Sequence, residues 1–474
     1  MRTYVMTALR SAMGRCRSAL RTAEIFDMVG ETKNGVDEAL SRLRALDERL
    51  TRVEATADLT RHFSETGREI AQMIARRKIP RSRARVLFLI HHRDALYSQV
   101  PVIEAMRDDP DFDVIVASID HCYPSDAEAR YAGEAEVHQA LTHFGIDHLR
   151  FASQSRWDDL MWIRTLDPDI IFRQSQWEPD IEAPFRTFEV RSARLALIPY
   201  EMANLVDNPR EPGAAHSAVD NYFHKNAWAV FCVSEEWRDT WAAAEAPATG
   251  ARQFYGTGHP KVQALRERLR QSSTSERPFT VLWSAHHSID DEWINFGTYP
   301  DTAPLMIELA HAHPEWEFIF SAHPALIAKL EERPQLRDLR ERWDELPNTR
   351  YFAGGGDYAA VFNDSDVLVC DGVSWLMEYQ LTAKPVVFIE RAHHAPFNDF
   401  GRVVREGTNV VTTGKELTTI LEHVAAGGTD PAAQGQQRVR ELLRVDHDAV
   451  AEIVATIKTK LREEGWHPTS TSTP

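Results

Sequence analysis

The chain has 474 residues, 43% of them hydrophobic and 26% charged, with a formal net charge of −17. That is room for two or three ordinary globular domains, without the basic footprint of a nucleic-acid binder. No apolar run reaches the length of about 18 residues that reads as a membrane span and no secretory h-region is visible. The scattered cysteines Cys16, Cys122, Cys232 and Cys370 form no C-x-x-C pair, which suits free thiols in a reducing cytoplasm and no structural zinc site.

Residues 1–23 carry Arg2, Arg10, Arg15, Arg17 and Arg21 with no acid before Glu24, and Met6, Leu9, Met13 and Leu20 at near-helical spacing. A basic amphipathic segment of this kind either lies on an anionic membrane surface or packs on its own protein. Between residues 36 and 60, Val36, Leu43 and Leu50 form one seam of a heptad pattern and Ala39, Leu46 and Val53 the other. The pattern predicts a helical hairpin or a short coiled coil, self-packed or joining copies of the chain. A basic linker, Lys78 to Arg85, ends this arm, assigned to residues 1–80.

From Val86 the text changes to short apolar runs alternating with helical patterns. Strands are expected at Val86–Ile90, Phe112–Ser118, Ile170–Phe172, Leu195–Ile198 and Ala229–Val233, with helices at Ser98–Arg107 and Glu134–Phe144. The pattern restarts after the polar stretch Gln271–Pro278. Strands follow at Phe279–Ser284, Glu317–Ser321, Val367–Val369, Val386–Ile389 and Asn409–Val411, with a helix from about Pro304 to Ala312. Alternation of this kind predicts two doubly wound parallel sheets facing a cleft, in domains at 81–257 and 258–445. A helix over 446–466 packs back and 467–474 is a Ser/Thr/Pro-rich tail.

In such sheets the ligand lies beyond the strand C-termini, and polar residues gather there. In the second half these are Ser284-Ala-His286-His287-Ser288, Ser321-Ala-His323-Pro324, the glycine run Gly354-Gly-Gly356-Asp357 and Asp371-Gly372-Val373-Ser374. The stretch 364–390 reads as strand, polar turn, helix and strand, with Ser374 at a helix N-terminus suited to phosphate and Glu378 about one turn further along the same face. Histidine donates to phosphate oxygens and exchanges protons near neutrality. In the first half the candidates are His91-His92-Arg93-Asp94, Arg173 to Glu178, Pro199-Tyr200-Glu201 and Asn221 to Lys225, with Arg93 and Arg173 suited to an anionic acceptor group. Asp364-Ser-Asp366 precedes its strand, the wrong end for a metal at the rim, and a turn role is expected. Asp290-Asp-Glu292 reads as a solvated acidic loop, and no metal site is assigned.

These residues resemble the CDP-glycerol glycerophosphotransferases of teichoic acid and capsule assembly, which have the two-domain GT-B glycosyltransferase fold. The resemblance rests on Gly258-His-Pro-Lys261, Leu282-Trp-Ser-Ala-His-His-Ser288, Ser321-Ala-His-Pro324, and Asp366-Val-Leu-Val-Cys-Asp-Gly-Val-Ser374 continuing to Lys384-Pro385. It covers roughly 86–420. It implies that His323, Ser374 and Asp371 bind the donor diphosphate and that Glu378 meets its organic part, with His286, Gly372 and Gly258 of the same motifs on the donor side and His323 a catalytic candidate. The acceptor side of Arg93, Arg173 and Tyr200, and the further catalytic candidates Glu201 and His92, rest on position alone. The resemblance also implies a nucleotide-activated, CDP-linked donor as substrate, no bound cofactor, and a polymer or lipid-linked acceptor. The chain departs from the family where an acceptor-side His-Gly motif is replaced near Pro199-Tyr-Glu201 and where Gly372 follows Asp371 in place of an aromatic residue.

The sequence therefore predicts a cytoplasmic GT-B-like transferase, peripheral on the inner membrane face if the arm binds lipid, that moves a polyol phosphate or sugar to a surface polymer. The alternatives are a nucleotide-sugar glycosyltransferase or epimerase of the same fold, and an inactive GT-B scaffold that binds polymer or assembly partners.

Overall fold

Two parallel sheets carry the chain. The computed structural model describes residues 82–467 except 123–130, 208–218, 220–221, 250–251, 270–276, 291–292 and 353–357, together with Ser64, Gly67, Arg68 and Ala71. The basic segment 1–23, the heptads of 36–60, the glycine run Gly354–Gly356, Asn221, the acids Asp291 and Glu292, and the tail from 468 onward lie outside these residues.

The first sheet holds β1 (Ala84–Ile90), β2 (Phe112–Ser118), β5 (Leu149–Arg150), β6 (Ile170–Arg173), β7 (Arg194–Leu197), β8 (Ala229–Phe231) and β9 (Phe254–Tyr255), in the order β5-β2-β1-β6-β7-β8-β9. A small antiparallel pair, β3 (His121–Cys122) and β4 (Tyr131–Ala132), stands outside it. The second sheet holds β10 (Thr280–Ala285), β11 (Glu317–Ala322), β12 (Thr349–Phe352), β13 (Val367–Cys370), β14 (Val386–Ile389) and β15 (Asn409–Val411), in the order β12-β11-β10-β13-β14-β15. Both sheets wind outward from a central strand in one direction and then in the other. The direction reverses between β1 and β6 in the first, and between β10 and β13 in the second. Those two places are the crevices where ligands of open α/β sheets bind.

The strands form where the sequence is apolar without alternation, because both faces are covered. Val86, Leu87, Phe88, Leu89 and Ile90 are all buried, and Phe88 stacks on Phe172 of β6 with ring centroids 4.5 Å apart. The edge strands β5 and β9 have two residues each, too short to leave a pattern in sequence. One expected boundary moves. The helix Tyr299–Ala312 starts before Pro304, because Pro300 takes its first turn, where amide hydrogens have no helical partner, and Pro304 sits inside.

Two connections join the halves. The chain leaves the first through Gly256–Gly258 into the helix Pro260–Leu269, and returns in the helix Ala449–Glu463. Val450, Ile453, Ile457 and Leu461 of that last helix are buried in the core of the first sheet. Lys458 pairs with Asp109 and Asp111 at 2.5 and 2.9 Å, and Arg194 pairs with Glu464 at 2.6 Å. Elsewhere the segment at Asn204–Asp207 meets the segment at Pro396–Asn398. Val206 bridges Phe397, Asn398 N–H donates to Leu205 O at 3.1 Å, and its Nδ2 donates to Asn204 O at 2.8 Å. No helix among the described residues is long and apolar enough to cross a membrane.

Candidate functional site

Each crevice is built from residues just past the strand ends. At the first, β1 runs into His91 and His92, and β6 into Gln174. The Gln174 Oε1 accepts the backbone N–H of His91 at 2.8 Å and of His92 at 2.9 Å, and its Nε2 donates to His92 O at 3.2 Å. This side-chain clamp fixes how the chain turns out of β1. The His91 ring stacks on His121 (5.3 Å between centroids) and the His92 ring lies parallel to Tyr200 (4.8 Å, 10°). Burial pulls the His92 imidazole down to about 3 and His121 to about 4, with Lys261 and His323 adding to the effect on His92. Burial, with His121, His92 and the Arg173 guanidinium adding to it, holds His91 well below its ordinary value. All three rings are therefore neutral at pH 7, able to donate at one nitrogen and accept at the other. Glu201 follows Tyr200. Burial, with Asp180 adding and Lys261 opposing, raises its carboxyl to about 7.

At the second crevice β10 runs into His286 and His287, β11 into His323, and β13 into Asp371. The three rings cluster, with His287 4.3 Å from His286 and 4.4 Å from His323. His323 is the N-cap of the helix Pro324–Glu332, and its Nδ1 accepts the Ala325 N–H at 3.2 Å. Burial lowers this imidazole to about 3. The neutral ring with Nδ1 as acceptor keeps its proton on Nε2, a donor set beside a helix N-terminus. His286 is held in the same tautomer, because its Nδ1 faces the Ser288 hydroxyl at 2.8 Å and the Ser288 N–H at 3.3 Å, while Ser288 Oγ accepts from Phe296 N–H at 2.8 Å.

Several expectations are corrected by this geometry. The Asp371 carboxylate does not face a ligand. It is fully buried, accepting from His286 N–H (2.7 Å), Thr298 N–H (2.5 Å) and Thr298 Oγ1 (2.8 Å), and burial raises it to about 6 against those bonds. It positions the loop that carries His286. Arg173 does not reach an acceptor. Its guanidinium is buried, pairs with Glu178 at 2.8 Å and Thr187 at 3.0 Å, and lies over the Phe223 ring. Strand-end position placed it at the rim; the face on which it leaves β6 turned it inward. His224 is likewise a core residue, against Trp241 and Phe254.

Gly372 lies against His286: a Cβ there would stand 2.9 Å from His286 Cδ2. A side chain at this position would meet that ring. Ser374 opens the helix Ser374–Glu378. Glu378 does not stand open to the cleft. It is buried and pairs with Lys261 Nζ at 2.5 Å across the halves. Lys261 and His259 belong to the Gly258-His-Pro-Lys261 motif, which on sequence alone assigns neither an individual role. His259 Nε2 donates to Pro199 O at 2.9 Å and its Nδ1 accepts the Lys261 N–H at 3.2 Å. Gly258 before it has φ +80°, a left-handed turn that favours glycine. Arg93 lies half-buried in the short turn Arg93–Ser98 beside His92.

Asp366 accepts from Arg277 at 2.6 and 2.7 Å and from Thr280 N–H at 2.8 Å, at the end of β13 away from the crevice. Asp290 pairs with Lys329 and Arg333. No group of three or more His, Cys, Asp or Glu among the described residues is set to hold a metal ion. Lys384 of the Lys-Pro pair donates to Phe362, Asn363 and Ser365 carbonyls at 2.5–2.9 Å, capping the helix Ala359–Asp364.

This is a GT-B-like fold of two Rossmann-like halves. No protein-family model matches the chain, and no curated protein does. Solved structures do. Staphylococcus aureus MnaA with UDP superposes with a TM-score of 0.55 at 13% identity, over 80% of this chain and 97% of that one. The UDP-GlcNAc 2-epimerase of Neisseria meningitidis bound to UDP-GlcNAc gives 0.54 at 13% identity, over 79% and 100%. A putative UDP-N-acetylglucosamine 2-epimerase from Listeria monocytogenes gives 0.55 at 12% identity, over 81% and 98%.

Proposed function

We propose that the chain is an enzyme that binds a nucleoside-diphosphate-linked sugar between the two crevices and acts at the carbon bonded to the diphosphate. The observation that carries this is the His323–His286–Gly372 corner, where a neutral Nε2–H donor stands at the start of the nine-residue helix after β11, one strand from the second reversal point. A diphosphate there meets donors that suit the negative charge growing on it as the carbon–oxygen bond breaks. The fold likeness to structures described with UDP and UDP-GlcNAc supports a uridine donor.

Across the cleft, His92 and Tyr200 form a ring surface for a hydroxyl-bearing substrate, and Glu201 is the candidate base. Its carboxyl at about 7 is poised to take a proton near neutrality. In transfer, Glu201 accepts the proton of an acceptor hydroxyl, that oxygen bonds the sugar carbon, and the electron pair of the broken bond leaves with the nucleoside diphosphate. In epimerisation, no acceptor is needed. The resemblance of the ordered motifs to those of the CDP-glycerol glycerophosphotransferases keeps a CDP-linked polyol donor as the second reading.

The test is calorimetry against UDP, UDP-GlcNAc, CDP and CDP-glycerol, with wild type and His323→Ala. One hydrogen bond to a charged group contributes about 1.5–3 kcal/mol, so the variant should bind the preferred nucleotide about tenfold or more weakly. Uridine preference supports the proposal, and cytidine preference moves it to glycerol phosphate transfer. If a folded protein binds none of the four, the proposal fails and the scaffold reading is favoured. Incubation with UDP-GlcNAc alone then separates epimerisation from transfer.

A further inference from the structure

Three polar side chains of the first crevice are shut away from water with atoms left over. Gln176 is 1% exposed and His91 2%. Among the described residues, neither amide atom of Gln176, neither ring nitrogen of His91 and not the Nδ1 of His92 has a hydrogen-bond partner. Folded proteins pair nearly all of their buried polar atoms, because a bare one has given up water and gained nothing. The residues beside these do pair. Gln174 spends its amide on the backbone of His91 and His92, and Ser175 donates to Asp180 at 2.6 Å.

The strand register brings the three together. Val86 of β1 lies opposite Ile170 of β6, and Ile170 opposite Arg194 of β7. Continued past the strand ends, the same register sets Gln176 level with His92 on one side and with Tyr200 on the other. The Gln174 clamp on His91 and His92, and the Tyr200 N–H donated to Gln174 O at 2.6 Å, keep the three segments side by side beyond the sheet. The His92 and Tyr200 rings approach to 4.8 Å from the two outer segments, and Gln176 is on the segment between them.

The unused atoms define what they can take. An amide and a neutral imidazole both donate and accept, which is the pattern of a hydroxyl or an acetamido group. None of the three carries charge. Arg173 and Lys261 are already matched by Glu178 and Glu378. A carboxylate or phosphate placed here would have Glu201 for a neighbour and neither of those cations to itself.

We propose that Gln176, His91 and His92 form a subsite for an uncharged sugar ring, held through its hydroxyl or acetamido groups. Resting on the nucleotide-sugar reading above, this makes the first half the part that selects the sugar, whether donor or acceptor brings it.

Gln176→Leu and His91→Phe keep the volume and remove the bare atoms. In the free protein Gln176→Leu should melt higher than wild type, because a group kept for a ligand costs stability until the ligand binds. Calorimetry compares UDP, UDP-glucose, UDP-GlcNAc and UDP-glucuronic acid, which carries a carboxylate where UDP-glucose has a hydroxymethyl group. Wild type should bind a neutral sugar nucleotide about tenfold more tightly than UDP, and UDP-glucuronic acid no more tightly than UDP. Both variants should lose the difference and keep the wild-type affinity for UDP. Saturation-transfer NMR with the methyl glycosides of glucose and N-acetylglucosamine, with and without UDP, covers a sugar supplied by the acceptor, and should give signal on wild type and none on Gln176→Leu. A wild type that binds the glycosides but no nucleotide would overturn the nucleotide reading and support the subsite. The subsite is overturned if Gln176→Leu melts well below wild type, since the amide is then used within the protein. It is also overturned by a preference for UDP-glucuronic acid, or by sugar binding that wild type and variants share or lack alike in both assays.

Discussion

His259 and His323 each stand before a proline at a helix start, and each uses Nδ1 to accept the backbone N–H two residues on. Proline lacks that hydrogen at the first helical position, so the imidazole serves the next unpartnered donor. One capping bond thus fixes which nitrogen holds the proton. At His259 that nitrogen binds Pro199 O; at His323 it is the candidate phosphate donor. The close fit of Gly372 on His286 is a second constraint at this scale. Gly372→Ala forces the ring to move, at a cost of about 1–3 kcal/mol, and the displaced imidazole should weaken nucleotide binding. A melting curve and a titration on the same variant check both effects. Glu201 sets the third expectation. If it is the base, turnover rises with pH through an apparent pKa near 7. Glu201→Gln should remove that limb and lower kcat about 10²–10⁴-fold, as pH-rate profiles of the two proteins would show.

Elements meet at Lys261 and Glu378, one on the helix Pro260–Leu269 and the other at the end of Ser374–Glu378. Both side chains are 7% exposed. Two charges taken out of water stabilise little as a pair, but removing one leaves the other uncompensated, at about 3–5 kcal/mol. Lys261→Met should therefore cost that much in urea unfolding, and Lys261→Met with Glu378→Met should recover most of it. Additive losses would mean the two side chains act separately. This pair also shows where reading the sequence stops. The strand cores were legible, because strands covered on both faces carry unbroken apolar runs, and so were the strand-end loops with His286, His323 and His92. Lys261 was not, because its partner is 117 residues away. Arg173 was misread for a related reason: sequence gives a residue's distance from a strand end but not the face on which it leaves a short strand. Asp371 reads as a rim acid until Thr298, from a loop far along the chain, closes over it.

Across the whole molecule, buried titratable groups accumulate at the two crevices. His91, His92, His121, His259, His286 and His323 all sit below their ordinary range, chiefly through burial. Each is neutral when folded and charges when unfolded below about 6.5. The unfolded chain then binds more protons, so the stability they contribute is complete above that pH and is lost as pH falls toward the folded values. Asp180, Asp371 and Glu201 act in the opposite sense, raised to about 6, 6 and 7, and offset part of the loss between about pH 4 and 7. The imidazoles outnumber them. The urea midpoint should therefore fall between pH 7 and pH 5, and a flat profile would contradict neutral histidines at the site.

The second half is attached to the first at neighbouring points. A Cβ on Gly258, where the chain goes out, would lie 3.2 Å from Ala449 Cβ, where it comes back. Arg266 donates to Val445 O at 2.6 Å, and Arg444 holds Gly256 O. In topological terms the second half is a loop of the first, inserted between two residues that already touch. Nature or an engineer can lift such a part out, or exchange it for one reading a different nucleotide, by rejoining the chain where it meets itself, and the strands of the first sheet keep their connections.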